Sequence, residues 1–210
     1  MKRKRPSKHY RVVKTKRGRK KVLVNESIKK KERGIIKSDE RKMFKFLSNP
    51  NKYNKEFGGA IDFDKSGKIE QINVTPGDEY EIFLPPDYEV QYHTHPDKGQ
   101  SPPTPDDIVA LLKNRNQQAE IIFKNGKTFV IVKTPLTKAL SKLPATQLHS
   151  KLGRAFNPLY KSSKNPEDDW MKKLQGMGFQ VYTYSDSAKD IPIFVHPVEP
   201  KKHKRKRRVR

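Results

Sequence analysis

Two histidines stand one residue apart in the stretch YEVQYHTH, Tyr88 to His95, and paired aspartates, Asp106 and Asp107, follow a Gly/Pro-containing loop. On a β-strand, residues i and i+2 point to the same face. Tyr88, Val90, Tyr92 and Thr94 then form one face, mostly apolar and suited to a core. Glu89, Gln91, His93 and His95 form the other. Two imidazoles leaving one strand end on one face are what two ligands of a single Zn²⁺ require, at ~2.0–2.1 Å. The chain has no cysteine, which excludes disulfides, thiolate metal sites and cysteine nucleophiles. Any metal must be held by histidine and carboxylate.

Two readings of the next segment coexist. Thr104-Pro105-Asp106-Asp107 is an ordinary helix start, with threonine at the N-cap, proline at N1 and an acid at N3. A short Gly/Pro loop can also return that helix N-terminus to the strand end, bringing Asp107 to His93 and His95. Three ligands leave a fourth position open for water, the arrangement of a catalytic zinc site. Such a site needs a general base to take a proton from the bound water, whose pKa the metal lowers to about 7. Glu56, at the start of the strand EFGGAIDF, is the candidate; as a bare pattern it is equally an exposed strand-end acid. Gly58 and Gly59 after it permit close approach of another backbone or a substrate.

The elements that must position these residues read as α+β, with helices against a mixed, mostly antiparallel sheet. SDERKMFKFLSN places Met43, Phe44 and Leu47 at helical spacing behind an N-cap Ser38. EFGGAIDF and KIEQINVTPG form a hairpin around Ser66-Gly67, and YEIFL and YEVQYHTH follow as strands across Pro85-Pro86. A helix runs from about Pro105 to Asn114. AEIIFKNGKTFVIVKT is a hairpin around Asn125-Gly126. A helix near 136–150, an irregular Pro/Ser/Asn stretch, the short helix PEDDWMKKLQGM and the strands FQVYTYS and IPIFVHP complete the domain. Trp170 is expected to anchor the last helix in the core.

The net charge of +24 is unevenly spread. Residues 1–37 carry 17 Lys/Arg against two acids, and residues 201–210 carry eight and none. Residues 38–200 are left at +1. The chain therefore reads as a near-neutral domain, 38–200, between a basic N-terminal extension, 1–37, and a basic C-terminal tail, 201–210. The tails are too charged to bury a core and are expected to be disordered, although RVVKTKRGRKKVLV could pair as a basic hairpin around Gly18. Charge this dense suits sequence-independent, salt-sensitive contact with nucleic acid or another polyanion. Tyr10 is the only aromatic among the basic residues, so base stacking is not indicated. No apolar run approaches the ~20 residues of a membrane span, and no h-region follows the N-terminal charges. The sequence reads as a soluble, intracellular, cytoplasmic protein, with nuclear import open to it in a host with a nucleus. Its oligomeric state is unreadable. His9, His149 and His203 have no neighbour at ligand spacing, and His196 reads as a satisfied surface histidine on a late strand.

Glu56 near Gly58-Gly59, His93-Thr94-His95-Pro96 and Thr104-Pro105-Asp106-Asp107 resemble, in order and spacing, the JAMM (MPN+) metallopeptidase family over roughly residues 38–135. The resemblance implies a cytidine-deaminase-like MPN fold and hydrolysis of an amide or isopeptide bond by zinc-activated water. It implies a protein or peptide substrate, ubiquitin-like conjugates among the candidates. His93, His95 and Asp107 would bind Zn²⁺, with Asp106 the alternative ligand, and Glu56 would be the general base. Thr104 stands where the family usually has a serine that stabilises the oxyanion; threonine keeps the hydroxyl but adds a stiff methyl. A frame starting at Ser101 fails, since its fourth residue is Thr104. The competing reading is a nucleic-acid-associated binding protein whose metal site is structural or vestigial.

Overall fold

The computed structural model describes residues 10–15, 18–23, 31–49, 52, 55–77, 88–95, 103–124, 126–185 and 187–196. The expected strand YEIFL, Pro85-Pro86, Pro96, Ser101, Asn125, His9, His203 and the tail 201–210 lie outside them. The chain divides into two compact units, Met1–Lys30 and Lys31–Arg210. In the first, β1 (Tyr10–Thr15) pairs antiparallel with β2 (Gly18–Leu23), Thr15 opposite Gly18. The basic hairpin is thus present, with Gly18 opening its second strand rather than marking its turn.

The second unit starts earlier than charge suggests. Strand β3 (Lys31–Ile36) pairs with β11 (Ile191–Val195), and Gly34 and Ile36 are buried. Lys31, Glu32 and Arg33 disguise this strand as tail, but its burial alternates with the period of a half-buried strand. The compact unit therefore begins at Lys31, not Ser38.

Its sheet runs in the order β10 (Gln180–Ser185), β9 (Lys127–Val132), β8 (Ala119–Lys124), β7 (Val90–Thr94), β4 (Phe57–Phe63), β5 (Ile69–Ile72). The short β6 (Thr75–Pro76) also pairs with β4. Every pairing is antiparallel except β7 with β8. That parallel pair requires a crossover, and α2 (Pro105–Lys113) lies in it. The fold is α+β, as the sequence implies.

Alternation along the strands builds two cores. On one face Ile121, Phe123, Val130 and Tyr92 pack with Phe44 of α1 (Ser38–Leu47) and with Ile36, Ile191 and Ile193 of the β3–β11 ribbon. Phe44 stacks on Phe123 at 4.1 Å and is fully buried, a burial worth about 1.5–3 kcal/mol. On the other face Ile122, Phe129 and Ile131 pack with α2, α4 (Ala145–Ser162) and α5 (Pro166–Gly176). Trp170 is fully buried there between Phe129 and Phe156. No helix among the described residues is long and apolar enough to cross a membrane.

Two element boundaries differ from expectation. Helix α1 is capped at Lys37, whose N–H donates to Glu40 Oε2 at 2.7 Å, so Ser38 is already inside the helix. The helix placed near 136–150 is instead a 3₁₀ turn (Pro135–Thr137), a short α3 (Lys138–Ser141) and, after Pro144, the long α4. Helix α4 continues through the stretch read as irregular, with Pro158 inside it. Proline removes one helical N–H there. Leu148, Leu152 and Phe156, each fully buried at a spacing of four, hold the helix against the sheet nonetheless.

Candidate metal centre

Strand β7 is central, and its two faces divide as the period-two pattern requires. Val90, Tyr92 and Thr94 face α1 and the ribbon, while His93 faces α2. Both imidazoles are buried, His93 at 3% exposure and His95 at 7%. His95 continues the register: its N–H donates to the carbonyl of Phe123 at 3.0 Å.

The third group arrives through a helix cap. Thr104 is the N-cap of α2 in extended conformation, Pro105 follows, and Asp107 is at N3. Asp107 Oδ2 accepts from the Thr104 N–H at 2.6 Å and from its Oγ1 at 3.0 Å. Asp107 N–H donates back to Thr104 Oγ1 at 3.4 Å. The cap and the candidate ligand are therefore one feature. The hydrogen bonds that start the helix fix the carboxylate, and Oδ1 lies 3.5 Å from His93 Nε2. Asp106 does not compete: it is exposed and its Oδ1 meets His149 Nδ1 at 3.0 Å.

His93 Nε2 and His95 Nε2 are 2.9 Å apart, and Asp107 Oδ2 is 3.8 Å from His95 Nε2. Tetrahedral donors at ~2.0–2.1 Å from an ion lie about 3.3 Å from each other, and the observed separations bracket that figure. His93, His95 and Asp107 form a group that could hold a metal ion.

The surrounding charge points the same way. Burial works against a charge on His93, but Asp107, Glu120 and Glu56 outweigh it and raise its pKa to about 9. Three carboxylates gathered around two buried imidazoles make a site that favours a cation. Burial also raises the pKa of Glu120, against the opposing pull of His93.

Glu56 is brought in by strand pairing. Gly58 on β4 sits directly opposite His93 on β7, so Glu56, two residues earlier, shares that face. Its placement is fixed on both sides: Gly77 N–H donates to the Glu56 carbonyl, and Phe57 N–H donates to Thr94 Oγ1, both at 2.9 Å. Gly59 serves a structural approach rather than an open one, since a Cβ there would lie 1.8 Å from the carbonyl oxygen of Asn73.

No family model, curated protein or solved structure matches this chain.

Two residues near the centre escape the sequence reading. Glu120 lies in the apolar run AEIIF yet is buried with an oxygen 2.7 Å from His93 Nδ1, and Gln117 Nε2 donates to its other oxygen. A carboxylate inside an otherwise apolar strand was the available signal, because such a group is costly to bury without partners. His196 is also corrected: it is 3% exposed, a buried residue rather than a surface one. Cavities of about 570 Å³ beside Lys124 and Glu167, and about 490 Å³ beside Arg33 and Glu89, contain none of the three metal-site residues.

Proposed function

We propose that this chain is a zinc-dependent metallopeptidase or isopeptidase of the JAMM type, acting on an amide or isopeptide bond of a protein or peptide. The observation that carries the reading is the convergence of His93, His95 and Asp107, with Glu56 on the same sheet face. The parallel β7–β8 pair with α2 in its crossover supports the cytidine-deaminase-like MPN arrangement. The donor set of two imidazoles and one carboxylate suits Zn²⁺. When bound, the ion would supply Lewis acidity to a scissile carbonyl and lower the pKa of a coordinated water.

The chain's own groups divide the remaining work. His93, His95 and Asp107 would hold the ion as three protein ligands, which would leave a coordination position for water or substrate. Glu56 takes a proton from the attacking water at its carboxylate and returns it to the leaving amine nitrogen. Thr104 first orients Asp107, because its hydroxyl donates to Oδ2. To donate to an oxyanion, that O–H must turn away from the carboxylate.

The test is Glu56→Gln. Zinc-loaded wild-type protein is incubated with ubiquitin-like conjugates on lysine and with a mixed peptide library, with and without chelator. The reading predicts cleavage that chelator stops, and a Glu56→Gln protein that retains zinc but cuts nothing. Unchanged cleavage by Glu56→Gln would remove Glu56 from the mechanism. If only the nucleic-acid-associated alternative holds, no substrate is cut and polyanion binding persists in both proteins.

We further propose that residues 1–30 and 201–210 bring the domain to nucleic acid or another polyanion by phosphate neutralisation. A salt titration of binding with both segments removed tests this, and equal affinity of the two proteins sinks it. The cut belongs before Lys31, since a cut after Lys37 would delete β3 and expose β11.

A further inference from the structure

Glu120, Gln117 and His93 form a buried chain of contacts that ends at the metal centre. In the parallel pair, Glu120 of β8 registers with Gln91 and Ile122 with His93, so Glu120 shares the imidazole face. It is 3% exposed and lies between Ala119 and Ile121, both fully buried. A carboxylate in that setting is tolerated only if its oxygens are engaged, and both are. One oxygen lies 2.7 Å from His93 Nδ1, and the other accepts from Gln117 Nε2. Gln117 is itself 1% exposed, and its Nε2 also reaches the Ala119 carbonyl at 3.4 Å. The far nitrogen of the ring, Nε2, is the atom that meets His95 Nε2 and Asp107.

From this geometry we infer that Glu120, braced by Gln117, is the positioning residue that sets the tautomer and ring orientation of His93. The inference rests on the metal reading above. With Nδ1–H donating to Glu120, the lone pair is left on Nε2, pointing into the site. The carboxylate also prevents rotation about the Cβ–Cγ bond and makes the ring a stronger donor. Contacts of this kind at a metal-bound histidine typically contribute 10–100-fold to affinity. Gln117 acts one step further back, engaging the second Glu120 oxygen so that the first stays on Nδ1.

The experiment measures zinc affinity by competition with a chelating indicator for wild type, Glu120→Gln, Glu120→Ala and Asp107→Ala, each checked for folding by circular dichroism. The zinc-loaded proteins are also examined by ¹⁵N-resolved imidazole NMR. Glu120→Ala is expected to bind zinc about 10–100-fold more weakly and to lose the downfield Nδ1–H signal of His93. Glu120→Gln, close in shape, should fold even if the alanine variant does not, and should weaken binding by a smaller factor while changing the Nδ1–H shift. Wild-type affinity and an unchanged His93 signal in Glu120→Gln would overturn the inference while leaving the metal site intact. A wild-type protein that binds no zinc would overturn the metal reading, and this inference with it.

Discussion

Thr94 lies between the two histidines in sequence and on the opposite face of the strand, so replacing it by valine separates metal binding from the attachment of Glu56. The side chain is fully buried, and its hydroxyl accepts the N–H of Phe57, the residue after Glu56. Valine keeps the branched shape, so packing against the first core should change little. The bond from the Phe57 N–H to that hydroxyl, 2.9 Å long and buried, is lost. Removing one side of a buried hydrogen bond costs about 1–3 kcal/mol. For a unit of this size each kcal/mol lowers Tm by about 2–4 °C, so Thr94→Val should melt about 2–12 °C below wild type. Zinc content should not change, because the lost hydroxyl points away from His93 and His95. Thermal unfolding followed by circular dichroism, beside metal analysis, reads both quantities. A Thr94→Val protein that melts with wild type would show that the Phe57 contact holds nothing. One that loses its zinc would show that the two faces of β7 are not independent.

Two further outcomes are expected. In metal-free protein His93 has a pKa raised to about 9 from an ordinary 6.5, so its charged form stabilises the fold fully below pH 6.5, and that contribution fades as pH rises toward 9. Lys133, whose pKa burial lowers to about 8, acts with the opposite sign from about pH 8 upward, so pH 6.5–8 lies below its range, and the raised pKa of Glu120 acts in the same direction as that of His93. The urea midpoint of metal-free protein should fall across that window, and more steeply than in His93→Gln; a flat or rising midpoint contradicts the assignment. Gly59→Ala should be severely destabilised, because the new methyl would overlap the Asn73 carbonyl and neither backbone can yield without breaking the Asn73 N–H bond to Ala60. Soluble protein with wild-type urea stability would refute that packing.

What the sequence made legible was set by pattern strength. The alternation in YEVQYHTH, the Thr-Pro-Asp-Asp helix start and the turn at Gly126 each use a short-range rule, and each maps onto β7, α2 and the β8–β9 hairpin. Strand β3 was hidden because its exposed residues are charged, and charge density there read as tail. Helix α4 was cut short because Pro158 and the Ser/Asn residues read as loop, whereas its length depends on tertiary packing of Leu148, Leu152 and Phe156. The sequence reading took Asp107 with Asp106 as the alternative, and in the structure Asp107 joins the two histidines while Asp106 turns toward His149. Glu120 was passed over for a related reason: an acid in an apolar strand signals that it needs a partner, but which partner is fixed only by the parallel register with β7.

The most direct test of the account is zinc per chain in purified protein, measured beside Asp107→Ala and Asp106→Ala. The account predicts about one zinc in wild type and in Asp106→Ala, and none retained by Asp107→Ala, consistent with one four-coordinate site. Folded wild-type protein that takes up no zinc on reconstitution, or an Asp107→Ala protein that keeps it, would contradict the metal centre itself.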